Sequence, residues 1–259
     1  MMNNKYEIYA CKVAGPLKSS GALVMWNKDW DKTVNRNYYL WCLKGMDNGE
    51  TIIVDTGVTP SLAEKLKLPA YSNPTELLAR INVNANEVQR VILSHLHWDH
   101  DNGVSLFPNA TFYVQEAEYL FWLKDAMASR PPFRSYSDEA ANHYLKSLEG
   151  TSRLSLLRGD QQILPGIECL LTPGHSVANQ SIAIHTRKGI AILGSDCAHF
   201  FKNYQDDWPS MFIIDLVAWM KSYDKLRSKV SSMELLFPGH DPIMAEGYPK
   251  VAEGVSQLV

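Results

Sequence analysis

Residues 94–100 read Ser-His-Leu-His-Trp-Asp-His and place three imidazoles and one carboxylate within six positions. Neutral imidazole and carboxylate are the ligand types that borderline cations such as Zn²⁺ accept, and so dense a cluster is costly to bury with nothing to bind. In an extended segment, residues two apart point the same way, so His95 and His97 can reach one metal together. Asp99 and His100 lie just beyond, where Asn102-Gly103 supplies turn residues, and they can face a second metal close to the first. One cluster fills only part of two coordination shells, so the other ligands must come from elsewhere. Three candidates each follow a short apolar run: His175 in Thr172-Pro173-Gly174-His175-Ser176, Asp196 after residues 189–193, and His240 in Phe237-Pro238-Gly239-His240-Asp241. A strand end holds a ligand on rigid scaffold and leaves it accessible. His143, His185 and His199 share no such spacing and read, by default, as surface or hydrogen-bonded core histidines.

The elements that must position these groups alternate along the chain. Residues 6–13, 21–26 and 38–44 read as strands, and Asp47-Asn48-Gly49 is a turn that joins the third of them to a strand at 51–54. Asn73-Pro74 resembles a helix cap with proline at the first helical position, opening a helix over 75–81. Residues 86–89 make a helical turn, and 91–93 form a short buried strand that delivers the histidine cluster. After a strand at 112–114, residues 115–128 carry helical spacing, Pro131-Pro132 breaks it, and 137–148 form a second helix with Ser137 as its cap. The second half is richer in strands, at 154–157, 162–164, 168–171, 180–185, 189–193 and 234–237, with an amphipathic helix over 214–229. This alternation indicates an α/β fold with a helical insertion at about 115–150. Residues 52–57 faintly echo 191–196, each an apolar strand that ends in an acid.

The 259 residues are 46% hydrophobic, ample for a substantial core in one domain spanning 1–259. The formal net charge is −3 and no long run of Lys or Arg occurs, which speaks against nucleic-acid or polybasic membrane binding. The first residues are polar, not an apolar leader core, and the longest apolar stretch, 211–220, is interrupted by Asp215 and too short to span a bilayer. The expectation is a cytoplasmic protein. Cys11, Cys42, Cys169 and Cys197 are far apart with no C-x-x-C pair, so they read as reduced, mostly buried thiols. Cys197 stands out only because it follows a candidate ligand.

Taken together, His95-Leu96-His97-Trp98-Asp99-His100, Thr172-Pro173-Gly174-His175, Gly194-Ser195-Asp196, Pro238-Gly239-His240 and Val54-Asp55-Thr56-Gly57 resemble the motifs of the metallo-β-lactamase superfamily, in the family's order and across most of the chain. The resemblance implies a four-layer αββα sandwich with the metals at one edge of two facing mixed sheets. It implies that His95, His97 and His175 hold one metal, that Asp99, His100 and His240 hold the other, and that Asp196 bridges them. Asp55 matches an acid that orients a ligand by hydrogen bonding. The implied cofactors are two divalent ions, Zn first, with Mn, Fe or Co also suited to these ligands.

Two adjacent cations lower the pKa of a bridging water, so the implied reaction is attack of a metal-bridging hydroxide on a carbonyl, with Asp99 or Asp196 shuttling the proton. No G-x-S-x-G motif competes, and no flavin or thiol motif suggests a redox role. Within the superfamily the chain is most similar to the N-acyl homoserine lactonases, the quorum-quenching branch, through residues 38–43 leading into 53–57, Thr172–Ser176 followed by Gln180-Ser181, and Pro238–Pro242 with Tyr248-Pro249. Asp196 where β-lactamases carry a cysteine ligand, and His97 where di-iron relatives carry an acid, exclude those branches. The near-neutral charge excludes the RNA-processing ones. The expectation is therefore a lactone-opening hydrolase, with an ester, thioester or cyclic amide as the alternative substrate. A non-catalytic binding protein is the rival from another class, and the complete ligand set speaks against it.

Two positions depart from that branch. His199 stands where its members carry a Tyr thought to hydrogen-bond the lactone carbonyl, and Asn179 where a second His usually follows. His199 could donate to the developing oxyanion, as a third catalytic residue beside Asp99 and Asp196, or could be an ordinary packed histidine. Met25, Trp26 and Trp30, with Phe121, Trp122 and Phe133 of the insertion, are candidates to line a pocket for a small-molecule substrate with an acyl or aromatic group. The insertion is equally a candidate homodimer surface.

Overall fold

A computed structural model describes residues 4–259. Its strands are β1 (Tyr6–Ser20), β2 (Thr33–Gly45), β3 (Thr51–Val54), β4 (Arg90–Ile92), β5 (Thr111–Gln115), β6 (Leu154–Leu157), β7 (Gln161–Leu164), β8 (Ile167–Leu171), β9 (Gln180–Thr186), β10 (Gly189–Ser195), β11 (Leu236–Pro238), β12 (Lys250–Ala252) and β13 (Val255–Gln257). The helices are α1 (Gly21–Val24), α2 (Pro60–Leu66), α3 (Pro74–Ala79), α4 (Trp98–Asp101), α5 (Glu116–Lys124), α6 (Pro131–Arg134), α7 (Glu139–Ser147), α8 (Phe201–Gln205) and α9 (Leu216–Lys229), joined by short 3-10 turns. The strands form two mixed sheets, in the orders β12-β13-β1-β2-β3-β4-β5-β6 and β11-β10-β9-β8-β7.

Alternation along apolar strands explains the layering. In β1, Ile8 and Ala10 face the second sheet, while Tyr9, Cys11 and Val13 face the helices on the other side. In β2, Trp41 and Leu43 point inward between the sheets, and Leu40 and Cys42 point out toward α3 and α5. Strands buried on both faces need apolar residues at both phases, and these have them. Ile182 and Ile184 of β9 close the same inter-sheet core, while Ala183 turns to Trp219, Tyr223 and Leu226 of α9. Three clusters thus separate four layers, and the fold is the αββα sandwich.

Four local expectations change. Residues 21–26 do not continue a strand. Ser20 caps Ala22, with its Oγ accepting from the Ala22 N–H, and Gly21–Val24 become a helical turn that packs Val24 and Met25 against Phe200. The helix expected over 115–128 stops at Lys124, because the Asp125 side chain accepts from Met127 N at 2.8 Å and starts a new turn. Asp138, not Ser137, caps α7, its carboxylate accepting from Ala141 N at 2.8 Å. Pro131 then opens α6 instead of only ending what precedes it. All four cysteines are buried and unbridged, and burial pushes the Cys197 thiol up to about 12.

Candidate metal centre

The parallel pairing of β3 with β4 sets the first half of the site. It places Asp55, just past β3, beside Ser94, just past β4. The Asp55 carboxylate accepts from Ser94 N at 2.7 Å, from Ser94 Oγ at 2.9 Å and from Nδ1 of His100 at 2.8 Å. That last bond turns Nε2 of His100 toward the interior of the site. His95 rests Nδ1 against Ser94 Oγ at 3.0 Å, which likewise points Nε2 inward. The chain then turns by folding into α4, with His97 at its N-cap and Asp99 and His100 in its first turn.

The second sheet supplies the other half. His175 follows β8 on the turn at Gly174, where φ is +136° and a Cβ would lie 2.3 Å from that of Trp219, so only glycine fits. Asp196 follows β10 after Ser195, held at φ +46°. Ser195 Oγ donates to Ser94 Oγ at 2.8 Å and ties the strand ends of the two sheets together. Asp55 and Ser195 both adopt positive φ, strain of the kind that collects at functional sites. His240 follows β11, and its Nδ1 donates to the Asn37 carbonyl at 2.7 Å, which fixes Nε2 toward Asp196. The two segments that echo each other in sequence, 52–57 and 191–196, each deliver an acid to this site.

The seven residues converge. Donor atoms of His95, His97 and His175 lie within 4.8 Å of one another, and so do those of Asp99, His100 and His240. Nδ1 of His97 faces Nε2 of His175 at 3.1 Å. Asp196 stands between the sets, with Oδ2 at 3.3 Å from His175 Nε2 and Oδ1 at 3.0 Å from His240 Nε2 and 3.3 Å from His100 Nε2. The Asp99 carboxylate is 3.6 Å from His240 and 3.8 Å from His100. His143 lies exposed on α7 and His185 half-buried on β9, and neither joins the cluster.

These residues suit a metal. Nε2 of His95 and Oδ1 of Asp196 are buried with no hydrogen-bond donor or acceptor of their own. Burial and the neighbouring imidazoles hold His95 and His97 well below the usual histidine range, and burial brings His175 down to about 3, so all three are neutral donors. Burial works against a charged Asp196, yet His199, His240 and His100 around it hold its carboxyl well below the usual range. Burial likewise opposes a charge on His100, but Asp196, Asp99 and Asp55 outweigh it and raise its pKa. That surplus of carboxylate in a buried space is what a cation neutralises. Two nitrogens on one tetrahedral Zn²⁺, each about 2.0–2.1 Å from it, stand roughly 3.3 Å apart, close to the spacings seen here.

His199 lies at the edge of the cluster. Nδ1 is 3.2 Å from Asp196 Oδ2 and 3.3 Å from Ser210 Oγ, and the ring stacks on Phe200. Asn179 stays out of the centre, its carbonyl accepting from Thr172 N at 2.8 Å. Glu118 was not legible in the sequence. Fully buried on α5, its carboxylate accepts from Leu96 N at 3.1 Å, Trp122 Nε1 at 2.7 Å, Ser176 Oγ at 2.6 Å and Ala178 N at 2.8 Å. It thereby joins the loop that carries His95 and His97 to the loop that carries His175. Burial pushes its pKa up, and the four donors pull it back.

A groove of about 530 Å³ adjoins the site, lined by Trp26, Trp30, Met211, Phe212, Ile213 and Leu216. Phe212, at φ +66°, packs its ring 5.1 Å from His97 and 5.8 Å from His175, so the groove wall touches the centre. Trp26 and Trp30 line the groove as the sequence suggested, whereas Met25 is core. Phe121, Trp122 and Phe133 stack edge to face and reach Phe212 through Phe133.

The sequence profile of the metallo-β-lactamase superfamily matches residues 32–240. The chain belongs to the metallo-β-lactamase superfamily. It is an enzyme, a metal-dependent hydrolase of that superfamily. An N-acyl homoserine lactonase of Bacillus cereus is 28% identical over 222 residues, covering 79% of this chain and 82% of that protein. The N-acyl homoserine lactonase AiiA of Bacillus thuringiensis subsp. kurstaki is 28% identical over 221 residues, covering 79% and 82%. A crystal structure of a quorum-quenching N-acyl homoserine lactone lactonase shares the fold with a TM-score of 0.78 at 23% identity, over 96% of this chain and 97% of that one. So does AidC, described as a dizinc quorum-quenching lactonase, with a TM-score of 0.72 at 17% identity, over 99% and 95%.

Proposed function

We propose that this metallo-β-lactamase-fold chain is a dinuclear metal hydrolase that opens a lactone ring. N-acyl homoserine lactones, for which its relatives are named, are the first substrates to test. One observation carries the reading: Asp196 presents one oxygen toward each of two ligand sets, Oδ2 toward His175 and Oδ1 toward His100 and His240. His95, His97 and His175 would hold one ion, Asp99, His100 and His240 the other, and Asp196 both. Zn is the expected metal, and Mn, Fe and Co suit the same donors. When bound, the pair of ions supplies an activated water near neutral pH and a Lewis acid for the carbonyl.

The chain's own residues then divide the remaining work. Asp99 is the more open carboxylate, its side chain 11% exposed against 3% for Asp196, and it is placed to hold the proton and pass it to the leaving oxygen. Asp196 is committed to both ligand sets and acts by position. Nδ1 of His199 donates to the Asp196 carboxylate while Ser210 Oγ–H donates to the Met211 carbonyl, so His199 offers Nε2–H to an oxyanion only as the doubly protonated ring, a form that burial opposes and Asp196 favours. The apolar groove behind Phe212 suits an acyl chain or aromatic group. The test is hydrolysis by metal-replete protein of a panel of acyl homoserine lactones, simple γ-lactones, esters and thioesters. Turnover centred on the lactones is expected, and none with any lactone contradicts the reading.

A further inference from the structure

Arg36 plays no part in the centre described above. It sits on β2 two residues before Tyr38, so both side chains leave the same face of the strand. That face looks onto the site: the Tyr38 ring meets the rings of Trp98 and His240 edge-on, each at 5.4 Å. The guanidinium carbon of Arg36 lies 5.2 Å from the Tyr38 ring centroid. Its charge also acts on the Tyr136 hydroxyl and on His199, on other walls of the site. Opposite this stretch β1 slips register twice, between Lys12 and Ala14 and between Ala14 and Leu17. Bulges of this kind re-aim side chains next to active sites.

What Arg36 lacks is an acceptor. Among the described residues none of the ion pairs involves it, and its Nε is buried with no hydrogen-bond partner. A buried donor left unpaired in the protein calls for a partner from outside. A guanidinium that rests on an aromatic ring presents a planar fork, which fits a carboxylate through two parallel N–H···O bonds.

We propose that Arg36 binds a carboxylate carried by the substrate away from the scissile ester, so that the preferred substrate is a lactone whose acyl arm ends in an acid group. This rests on the lactonase reading and narrows its substrate class.

Homoserine lactones acylated with succinate or glutarate are compared with the matching terminal carboxamides, on the metal-loaded full chain and on Arg36→Lys and Arg36→Met. The wild type is expected to favour the acids about tenfold or more in kcat/KM, mainly through KM. Arg36→Met abolishes the preference, and Arg36→Lys keeps part of it, having charge without the fork. Equal turnover of acid and amide by the wild type, or a preference that survives Arg36→Met, overturns the assignment and leaves the lactonase reading standing. No turnover of any lactone overturns that reading instead. Arg36 is then decided by calorimetry with the ring-opened products: the diacid binds about tenfold tighter than its amide in the wild type and not in Arg36→Met, or the assignment fails. If Arg36→Met does not fold, Arg36→Lys carries the same comparisons.

Discussion

Nδ1 of His100 and Oδ2 of Asp55 meet at 2.8 Å in a fully buried pair. The same carboxylate holds both the backbone and the hydroxyl of Ser94, against which His95 rests. One acid at the end of β3 therefore orients His100 directly and His95 through Ser94, the two imidazoles proposed for opposite halves of the centre. Asp55→Asn keeps the size but weakens the acceptor that fixes the His100 ring. Groups that orient a metal-ligating histidine typically account for about 10–100-fold in metal affinity or activity. The variant is expected to lose metal to a chelator at least about tenfold more readily, read by competition with a chromophoric chelator. Wild-type retention would contradict this role.

Glu118 is expected to act on both ligand loops at once. Glu118→Ala leaves four buried donors, Leu96 N, Trp122 Nε1, Ser176 Oγ and Ala178 N, without their shared acceptor. Hydrogen bonds to a charged group are worth about 1.5–3 kcal/mol each, and an unpaired buried donor carries its own desolvation cost. A loss on the order of 3 kcal/mol or more in urea unfolding is expected, with lowered metal content. Glu118→Gln retains one good acceptor and should fall in between. Equal stability of Glu118→Ala and wild type would show that the carboxylate holds nothing in place.

His199→Phe keeps a flat ring against Phe200 but removes both nitrogens. Because the ligand sets around Asp196 remain, two metals per chain should be retained while kcat falls by roughly a hundred- to a thousandfold, the order of an oxyanion donor's contribution. Unchanged kinetics would make His199 a packing residue. Loss of one metal would make it a ligand, an outcome its 3.2 Å approach to Asp196 makes worth measuring.

The direction of the histidine shifts sets a pH dependence. His95, His97 and His175 are held below the ordinary histidine range by burial, His175 at about 3. Protons compete for these nitrogens only below that range, so they remain available as the pH falls through 6.5, where an exposed histidine would charge. Metal content measured after equilibration from pH 8 to pH 5 should keep one ion per chain, at His95, His97 and His175, down to about pH 5.5, while the set that contains His100, whose pKa its carboxylates raise, gives up its ion first. A fall below one ion per chain at pH 6.5 or above would mean that the nitrogens of His95, His97 and His175 titrate like free imidazole.

The seven converging residues were legible because each closes an apolar strand or starts the turn after one. Both sheets are buried on two faces, so those strands stand out as apolar runs. Glu118 and Arg36 were not legible. Each is one charged side chain in an ordinary helix or strand, and its importance comes from contacts across 58 residues, as between Glu118 and Ser176, or from the absence of a partner. Gly21–Val24 misled because an apolar run of six residues fits a buried strand as well as a helical turn, and only the Ser20 cap decides. Phe212 was not singled out because its role depends on a positive φ and on contact with His97, neither of which has a sequence signature.

The two-metal centre is tested most directly by metal stoichiometry. Full-length protein is loaded with Zn²⁺, freed of excess by gel filtration and assayed by elemental analysis against protein concentration. Two ions per chain are expected, as two ligand sets sharing Asp196 require. A ratio of one or below, with the protein folded, would contradict the account.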